Sequence, residues 1–183
     1  MTSSKSDSEL VNDFLNGDEK AFNMLALRYQ EKIYWHARRM TGNHLDADDI
    51  VQQVLLVIYN KLKSFNFQSS LYTWIFKITS TRSLNFIKSK KIKNIISFEQ
   101  TGELINSSDN DIIAGIDSRD KIERVQSLLK NIPTRQRQVF VLRNFDEMSY
   151  EEISKITGKS IGALKSSYFH AFNKLKELMK NYE

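Results

Sequence analysis

The segment 149–166, with the sequence SYEEISKITGKSIGALKS, constrains the fold of this chain more than any other stretch. Apolar residues recur in it at helical spacing on both sides of a Thr-Gly-Lys turn: Tyr150, Ile153, Ile156, Ile161 and Leu164. Ser149 with Glu152 three residues later forms a capping box, and Gly158 can adopt the positive φ that a tight turn requires. The segment therefore predicts two short helices that cross at a steep angle, which is the helix-turn-helix arrangement.

The second of these helices is predicted to turn small and polar residues outward. The outward residues are Gly162, Ala163, Lys165, Ser166, Phe169 and His170, with Lys159 at the helix entrance. Small residues let a helix approach a DNA groove closely, and lysines and serines contact phosphates or base edges. A plain helical hairpin with solvated lysines would show the same periodicity. Arg135, Arg137 and Arg143 in the preceding helix favour the DNA-reading interpretation.

Helix-breaking residues are scarce throughout the chain. Its 183 residues include one proline, Pro133, and six glycines, so we predict an all-α fold. The absence of cysteine excludes disulfides, thiolate zinc sites and cysteine nucleophiles. The net charge of +5 mildly favours a polyanionic partner. Residues 1–8 lack the apolar core of a signal peptide, and no apolar run is long enough to span a bilayer, so we expect a cytoplasmic protein.

A shift in charge near residue 94 divides the chain into two predicted domains. Residues 1–8 are expected to form a disordered tail, and residues 9–93 a helical domain whose third long helix ends near Lys91. Residues 94–117 contain five acidic residues and no lysine or arginine, which predicts a flexible acidic linker. Residues 118–183 hold the helix-turn-helix. The prediction is two small helical domains joined by that linker.

Aromatic and basic residues lie close together in the second half of the first domain. Phe67, Tyr72, Trp74 and Phe76 are followed by a series of lysines that runs to Lys93. Aromatic faces beside a cationic strip hold unpaired bases, and the polar loop 65–70 could form one wall of a base pocket. The alternative is that Trp74 and Phe76 belong to the core and that the lysines only complement the helix dipole.

Acids and amides cluster at the start of the predicted second long helix. They are Asp46, Asp48, Asp49, Gln52 and Gln53. Paired carboxylates are compatible with acid–base catalysis or a metal site. Acidic residues at the start of a helix also interact favourably with the helix dipole. The three histidines, His36, His44 and His170, share no metal-ligand spacing, and no glycine-rich phosphate loop is present. We therefore expect no catalytic residue, metal or cofactor, and interpret the cluster as a docking surface for a partner protein.

Three motifs occur in a defined order along the chain. The first is DADDIVQQV at 46–54, the second is FNFQSSLYTWIFKI at 65–78, and the third is IPTRQRQVF at 132–140, followed by the helix-turn-helix. Together they resemble the bacterial RNA polymerase sigma factors of the extracytoplasmic-function (ECF) type. In that family the second motif reads F-x-x-x-S-S-F-x-T-W-L-Y-R-I. The resemblance covers nearly the whole chain except the tail and the linker.

The resemblance implies a transcription initiation factor that performs no covalent chemistry. Residues 9–93 would be sigma region 2, residues 118–183 sigma region 4, and the linker would thread toward the polymerase active centre. Core polymerase would bind at Asp46, Asp49, Gln52 and Gln53. The downstream (minus ten) promoter box would be melted and contacted by Phe65, Asn66, Phe67, Gln68, Ser69, Ser70, Trp74, Lys77, Thr81, Asn85 and Lys88. The upstream (minus thirty-five) box would be contacted by Arg143, Lys159, Ser160, Gly162, Ala163, Lys165, Ser166, Ser167, Phe169 and His170.

The implied partners are core RNA polymerase, promoter DNA as duplex and single strand, and a membrane-linked anti-sigma protein. The chain departs from the family at Gln53, a position where the family often has Glu or Asp. It also has Thr81 and Asn85 in the helix where the family has Asn and Asp. It also lacks arginines common in the recognition helix. The sequences of both boxes therefore stay open. On the residues alone, two other classes also stay open: a stand-alone regulator that binds duplex sites without polymerase, and an enzyme acting on nucleic acid.

Overall fold

The computed structural model describes residues 5–101 and 125–180, and every regular element in these two ranges is a helix. The first range contains α1 (Asp7–Leu15), α2 (Glu19–Thr41), α3 (His44–Lys61), a 3₁₀ turn (Leu62–Ser64) and α4 (Leu71–Thr101). In the second range residues 125–129 are helical, and α5 (Thr134–Asn144), α6 (Tyr150–Thr157) and α7 (Ile161–Lys180) follow. The all-α prediction is confirmed.

The helix-turn-helix forms as its sequence predicts. Ser149 accepts from the backbone N–H of Glu152, whose carboxylate accepts from the N–H of Ser149, so the capping box is complete. The hydrogen bond that the backbone N–H of Ser149 donates to this carboxylate is the largest cause of the lowered pKa of Glu152. Gly158 ends α6 with a φ of 69°, and Pro133 stands immediately before α5. Local capping and turn chemistry therefore fix the boundaries of these helices.

Gly158→Ala should lower the free energy of unfolding by about 1 kcal/mol, because an L side chain in the left-handed region costs about that much. No neighbouring atom lies within 4 Å of the added Cβ, so the penalty is conformational rather than steric. Gly162→Ala is the matched control. It lies inside α7 with equally open space, and it should raise stability by roughly 0.5–1 kcal/mol. Thermal unfolding followed by circular dichroism measures both, and equal midpoints would contradict the argument.

Two predicted boundaries are wrong. The tail predicted for residues 1–8 overlaps α1, which begins at Asp7 because Ser6 caps it and the Asp7 carboxylate accepts from Arg28 and Tyr29 of α2. Burial, followed by this hydrogen bond, raises the pKa of Tyr29. The linker predicted for 94–117 overlaps α4, which continues past Lys91 to Thr101. The chain has neither glycine nor proline between residues 71 and 101, so acidic composition alone does not end the helix. Residues 102–117 lie outside the described residues.

The two predicted domains pack directly against each other. The main core contains Ile33 and Phe76 from the first domain together with Leu142, Met148 and Ile153 from the second. A smaller core joins Met40 at the end of α2 to apolar residues of the helix-turn-helix domain. Helix α5 contacts α2 on one side and α6 and α7 on the other. Consequently six consecutive residues of α5, 137–142, are all buried.

Candidate functional site

One exposed face of α3 carries most of the predicted polymerase-binding residues. Asp49, Gln52 and Gln53 are exposed, and they are spaced by three and four residues along one side of the helix. Leu56 continues the same row and is 62% exposed. We call these four residues the α3 surface. Sequence reasoning missed Leu56, although its i+3 and i+4 spacing from Gln53 and Gln52 signals that it shares their face.

Asp46 does not belong to this free surface. Its carboxylate forms a salt bridge with Lys90 of α4, with Nζ 2.7 Å from Oδ2, and its side chain is only 14% exposed. Its backbone N–H also donates to the side chain of Asn43, the cap of α3. The charge of Asp46 therefore joins α3 to α4, which leaves little of this carboxylate for the partner contact predicted from the sequence.

Asp46→Asn should lower the free energy of unfolding by roughly 0.5–1 kcal/mol, since it removes one partly exposed ion pair. Affinity for core polymerase should stay unchanged. Lys90→Gln should produce the same loss of stability, and the double variant should lose no more than either single variant, because both remove the same interaction. Urea unfolding of the four proteins completes the cycle, and additive losses would show that the two side chains act independently.

The loop 65–70 separates its two phenylalanines into different roles. Phe65 is 7% exposed and packs in the core, so it offers little surface for the DNA contact predicted from the sequence. Phe67 has a φ of 57° and is 48% exposed. Its ring centroid lies 4.8 Å from that of Phe65, which in turn lies 5.4 Å from the ring of the half-buried Trp74. The three rings form a tilted aromatic cluster, with interplanar angles of 52° and 53°, and the exposed ring of Phe67 lies at its outer end.

Some polar side chains of this loop form hydrogen bonds with nearby backbone N–H groups. Asn66 Oδ1 accepts from the N–H of Gln68 at 3.4 Å. Ser70 Oγ accepts from the N–H of Thr73 at 3.1 Å and so caps α4. Ser69 is half-buried, and Gln68 is exposed. The capping hydroxyl of Ser70 is therefore used to begin α4, while Gln68 is open to solvent.

A strip of exposed side chains continues along α4 from this loop. Its members recur at steps of three and four, and all are exposed: Lys77, Thr81, Asn85 and Lys88. The hydroxyl of Thr81 donates to the carbonyl of Lys77 at 2.7 Å. The exposed ring of Phe67 and the α4 strip therefore lie on consecutive parts of the chain.

The predicted outward face of α7 is exposed. Ser160 caps the helix by accepting from the N–H of Ala163 at 3.3 Å. The residues Lys159, Gly162, Ala163, Lys165, Ser166, Phe169 and His170 are all exposed, and Ser167 is half-buried. Helix α7 also exposes Phe172. The small side chains at the start of this helix let its backbone approach a DNA groove closely. The lysines and the free N–H groups at the helix N-terminus favour contacts with phosphate.

Arg143 has a second, structural task. Its Nη1 donates to the carbonyl of Met148 at 2.8 Å, and its guanidinium lies 5.3 Å from the ring centroid of Tyr150. Lys165 from α7 approaches the same ring at 5.8 Å. Arg143 remains exposed, so a phosphate contact is compatible with its position. Its main visible role is to hold the turn that leads into α6.

Within residues 5–101 and 125–180, no group of three or more His, Cys, Asp or Glu side chains is arranged to hold a metal ion. In the same ranges no helix has the length and apolar character needed to cross a membrane.

Comparison with protein families assigns both helical domains. A model of Sigma-70 region 2 matches residues 25–92, and a model of Sigma-70 region 4 matches residues 122–175. The two regions occur in the family's order and together cover more than half of the chain. The chain belongs to the sigma-70 family. Region 2 of this sigma factor thus contains most of α2, all of α3 and most of α4, and region 4 contains α5, α6 and most of α7.

Curated relatives place this sigma factor in the ECF subfamily. It is 28% identical to the ECF RNA polymerase sigma-E factor of Escherichia coli over 178 residues, which cover 93% of each chain. It is also 28% identical to the RNA polymerase sigma-H factor of Pseudomonas aeruginosa over 179 residues, covering 93% of this chain and 92% of the relative. The likeness therefore extends through both regions and the segment between them.

Solved structures show the same fold. The sigma factor RpoE of Bartonella quintana, crystallised with the anti-sigma factor NepR, superimposes with a TM-score of 0.69 and 26% identity. The alignment covers 88% of this chain and 98% of RpoE. CnrH, solved with the cytosolic domain of CnrY, gives a TM-score of 0.72 over 98% of this chain and 100% of CnrH, at 22% identity.

Proposed function

We propose that this sigma factor binds core RNA polymerase through the α3 surface, directs it to promoters and helps to part the DNA strands. The observation that carries the proposal is the pair of family regions, 25–92 and 122–175, in their functional order on one chain. Each region presents an exposed face whose chemistry suits its role. The protein would act in the cytoplasm and perform no covalent chemistry itself.

The downstream box would be held by region 2. The exposed ring of Phe67 offers a stacking surface for an unpaired base, and stacking of this kind contributes about 1–3 kcal/mol per base. Lys77 and Lys88 on the α4 strip would follow the phosphates of the parted strand, and Thr81 and Asn85 between them would contact bases. Trp74 and Phe65 would support Phe67 from below rather than contact DNA themselves.

The upstream box would be held by α7 of region 4. The helix would enter the major groove with its first turn, where Gly162 and Ala163 leave room for close approach and Lys165 and Ser166 reach the base edges. Lys159 stands before the helix and would neutralise a phosphate. The capping box of α6, the glycine turn and the Ser160 cap described above hold this helix at a fixed angle to α6.

An anti-sigma protein is a further proposed partner. RpoE was crystallised with the anti-sigma factor NepR, and CnrH was solved with the cytosolic domain of CnrY. By analogy a membrane-linked antagonist would bind this sigma factor and keep it from polymerase. Such a partner should abolish promoter-dependent transcription when it is added before core polymerase, and it should have no effect on transcription by another sigma factor.

Run-off transcription tests the proposed function. Core polymerase with the purified chain should start RNA at one defined site on a cognate promoter, selected from random DNA with the reconstituted holoenzyme, and core polymerase alone should not. A stand-alone regulator would instead bind duplex sites without polymerase and produce no defined start. No defined start on any selected sequence would overturn the proposal.

Lys165→Ala with Ser166→Ala should reduce the dependence of transcription on the upstream box by on the order of tenfold, because base-edge contacts each contribute about 1–3 kcal/mol. Binding to core polymerase should be unaffected. The matched control is Lys174→Ala with Lys176→Ala, which removes exposed lysines from the far end of the same helix. Transcription from promoters with intact and scrambled upstream boxes gives the measurement. Loss of polymerase binding by the first variant would count against the assignment of α7.

A further inference from the structure

We propose that Tyr150 is a positioning residue for the upstream box: its ring holds the charged ends of Arg143 and Lys165 without neutralising them. The two cations are then oriented toward DNA before the DNA arrives. This inference rests on the proposed function, because it concerns the helix that is proposed to enter the major groove. It adds a residue that acts only through two others.

The ring of Tyr150 lies where α5, α6 and α7 meet. Arg143, in the last turn of α5, has its guanidinium carbon 5.3 Å from the ring centroid. Lys165, in the second turn of α7, has its Nζ 5.8 Å from the same centroid. A cation within about 6 Å of a ring centroid is attracted by the negative face of the ring. The first residue of α6 therefore contacts one cation from each neighbouring helix.

Packing in region 4 holds this ring in place. Tyr150 is half-buried and meets the ring of Tyr168 edge-on, with the centroids 6.4 Å apart and an interplanar angle of 88°. Tyr168 in turn stacks on the buried ring of Phe140, at 5.7 Å and 21°. Among residues 5–101 and 125–180, no hydrogen bond holds the hydroxyl of Tyr150. The position of the ring therefore depends on its aromatic contacts and not on its hydroxyl.

A ring holds a cation differently from a carboxylate. Lys90 is bound by the carboxylate of Asp46 at 2.7 Å, which offsets its charge. In the part of the chain that the structure describes, neither Arg143 nor Lys165 forms a salt bridge, and both side chains are exposed. An aromatic ring carries no net charge, so the positive potential of the two cations remains available to a polyanion.

Holding these long side chains beforehand favours DNA binding. A lysine or arginine that is immobilised on binding loses rotamer freedom, and this loss weakens the affinity. The ring of Tyr150 restricts both side chains in the free chain, and Arg143 is restricted further because it donates to the carbonyl of Met148 at 2.8 Å. Removing the ring should therefore weaken binding to the upstream box although no contact with DNA is removed.

Affinity of the holoenzyme for promoter DNA with intact and scrambled upstream boxes tests this role. Tyr150→Leu removes the aromatic face and leaves both cations, so the affinity that depends on the upstream box should fall on the order of fivefold. Tyr150→Phe is the matched control, because it keeps the face and removes only the hydroxyl. It should bind as the wild type does. Equal losses in Tyr150→Phe and Tyr150→Leu would overturn the proposal.

The salt dependence of binding separates a lost position from a lost contact. Tyr150→Leu removes no charge, so the slope of log affinity against log salt concentration should not change. Lys165→Ala does remove a charge and should lower that slope by up to about one. In the Lys165→Ala background, Tyr150→Leu should reduce affinity only about twofold, because Arg143 alone remains to be positioned. An equal reduction in both backgrounds would show that Tyr150 has only a structural role.

A second variant covers loss of stability. If Tyr150→Leu lowers the thermal midpoint, Tyr150→Met replaces it in the same measurements, because the flexible methionine side chain fills an irregular gap without an aromatic face. Tyr150→Met should then show the fivefold loss. Affinity equal to that of Tyr150→Phe would overturn the proposal.

A measurement on the free chain separates this proposal from the proposed function. Lysine amines can be dimethylated with ¹³C while keeping their charge, and the methyl signal of Lys165 is assigned by its absence in Lys165→Arg. A ring-current shift of this signal should be present in wild type and Tyr150→Phe and absent in Tyr150→Leu. No shift in the wild type would overturn the positioning role, whatever the transcription result. A wild type that shows the shift but gives no defined start would contradict the sigma activity alone.

Discussion

Asp49→Lys combined with Gln52→Ala should weaken binding to core polymerase by on the order of tenfold or more. The double variant changes the charge of the α3 surface by two units and removes an adjacent amide, and opposed charge at an interface lowers both affinity and association rate. Both side chains are exposed, so the fold should not be disturbed. Titration of labelled protein with core polymerase at several salt concentrations measures the loss, which should shrink as salt screens the repulsion.

A matched control for this variant exists on α2. Glu31→Lys combined with Gln30→Ala makes the same two chemical changes at exposed positions of region 2 outside the α3 surface. It should bind core polymerase as the wild type does. If the control loses as much affinity as the α3 variant, the effect comes from overall charge rather than from a docking surface. Unchanged binding by the α3 variant would remove α3 from the proposed interface.

Helical periodicity and capping residues predicted the parts of the fold that depend on neighbours in sequence. The capping box at Ser149 and the left-handed Gly158 follow from local hydrogen bonding and backbone freedom, and both are present. The acidic composition after residue 94 predicts a linker and an end of α4 near Lys91, whereas the helix continues to Thr101. Helix propensity without glycine or proline was the better guide, since single charges rarely stop a helix.

The sequence predicts which helix faces carry the candidate site, but it does not predict which individual residues on those faces are exposed. Asp46 and Asp49 lie in the same motif, yet Asp46 faces Lys90 on α4 and Asp49 faces solvent. Phe65 and Phe67 are two residues apart in one loop, yet one is buried and the other exposed. These differences depend on which helix packs beside the motif. That is a long-range property, so spacing within the motif carries no information about it.

The sequence alone also does not predict the contact between the two regions. Helix α5 buries residues on all sides, including the polar side chains of Arg137 and Gln138. A polar residue that is buried through a partner more than fifty positions away resembles a surface residue in sequence. The consecutive apolar residues from Val139 to Leu142 are the visible signal that α5 is covered on more than one face.

Phe67→Ala should lower the affinity of the holoenzyme for single-stranded downstream-box DNA by about 5- to 150-fold, the equivalent of the 1–3 kcal/mol that one stacked base contributes. The ring is presented by a backbone with a φ of 57° and supported by Phe65 beneath it, so it is positioned before DNA arrives. Alanine keeps the same backbone conformation and removes only the exposed ring. Fluorescence titration with a labelled oligonucleotide measures the change.

Phe67→Tyr and Phe65→Ala separate stacking from folding in this experiment. Phe67→Tyr keeps the aromatic face and should retain nearly full affinity for the single strand. Phe65→Ala empties a buried site and should lower the free energy of unfolding by about 3–5 kcal/mol, whereas Phe67→Ala should change it little. If Phe67→Ala binds the single strand as tightly as Phe67→Tyr, the exposed ring is not a base platform. The tilted aromatic cluster would then serve only to cover the core of region 2, and strand opening would depend on the α4 strip alone.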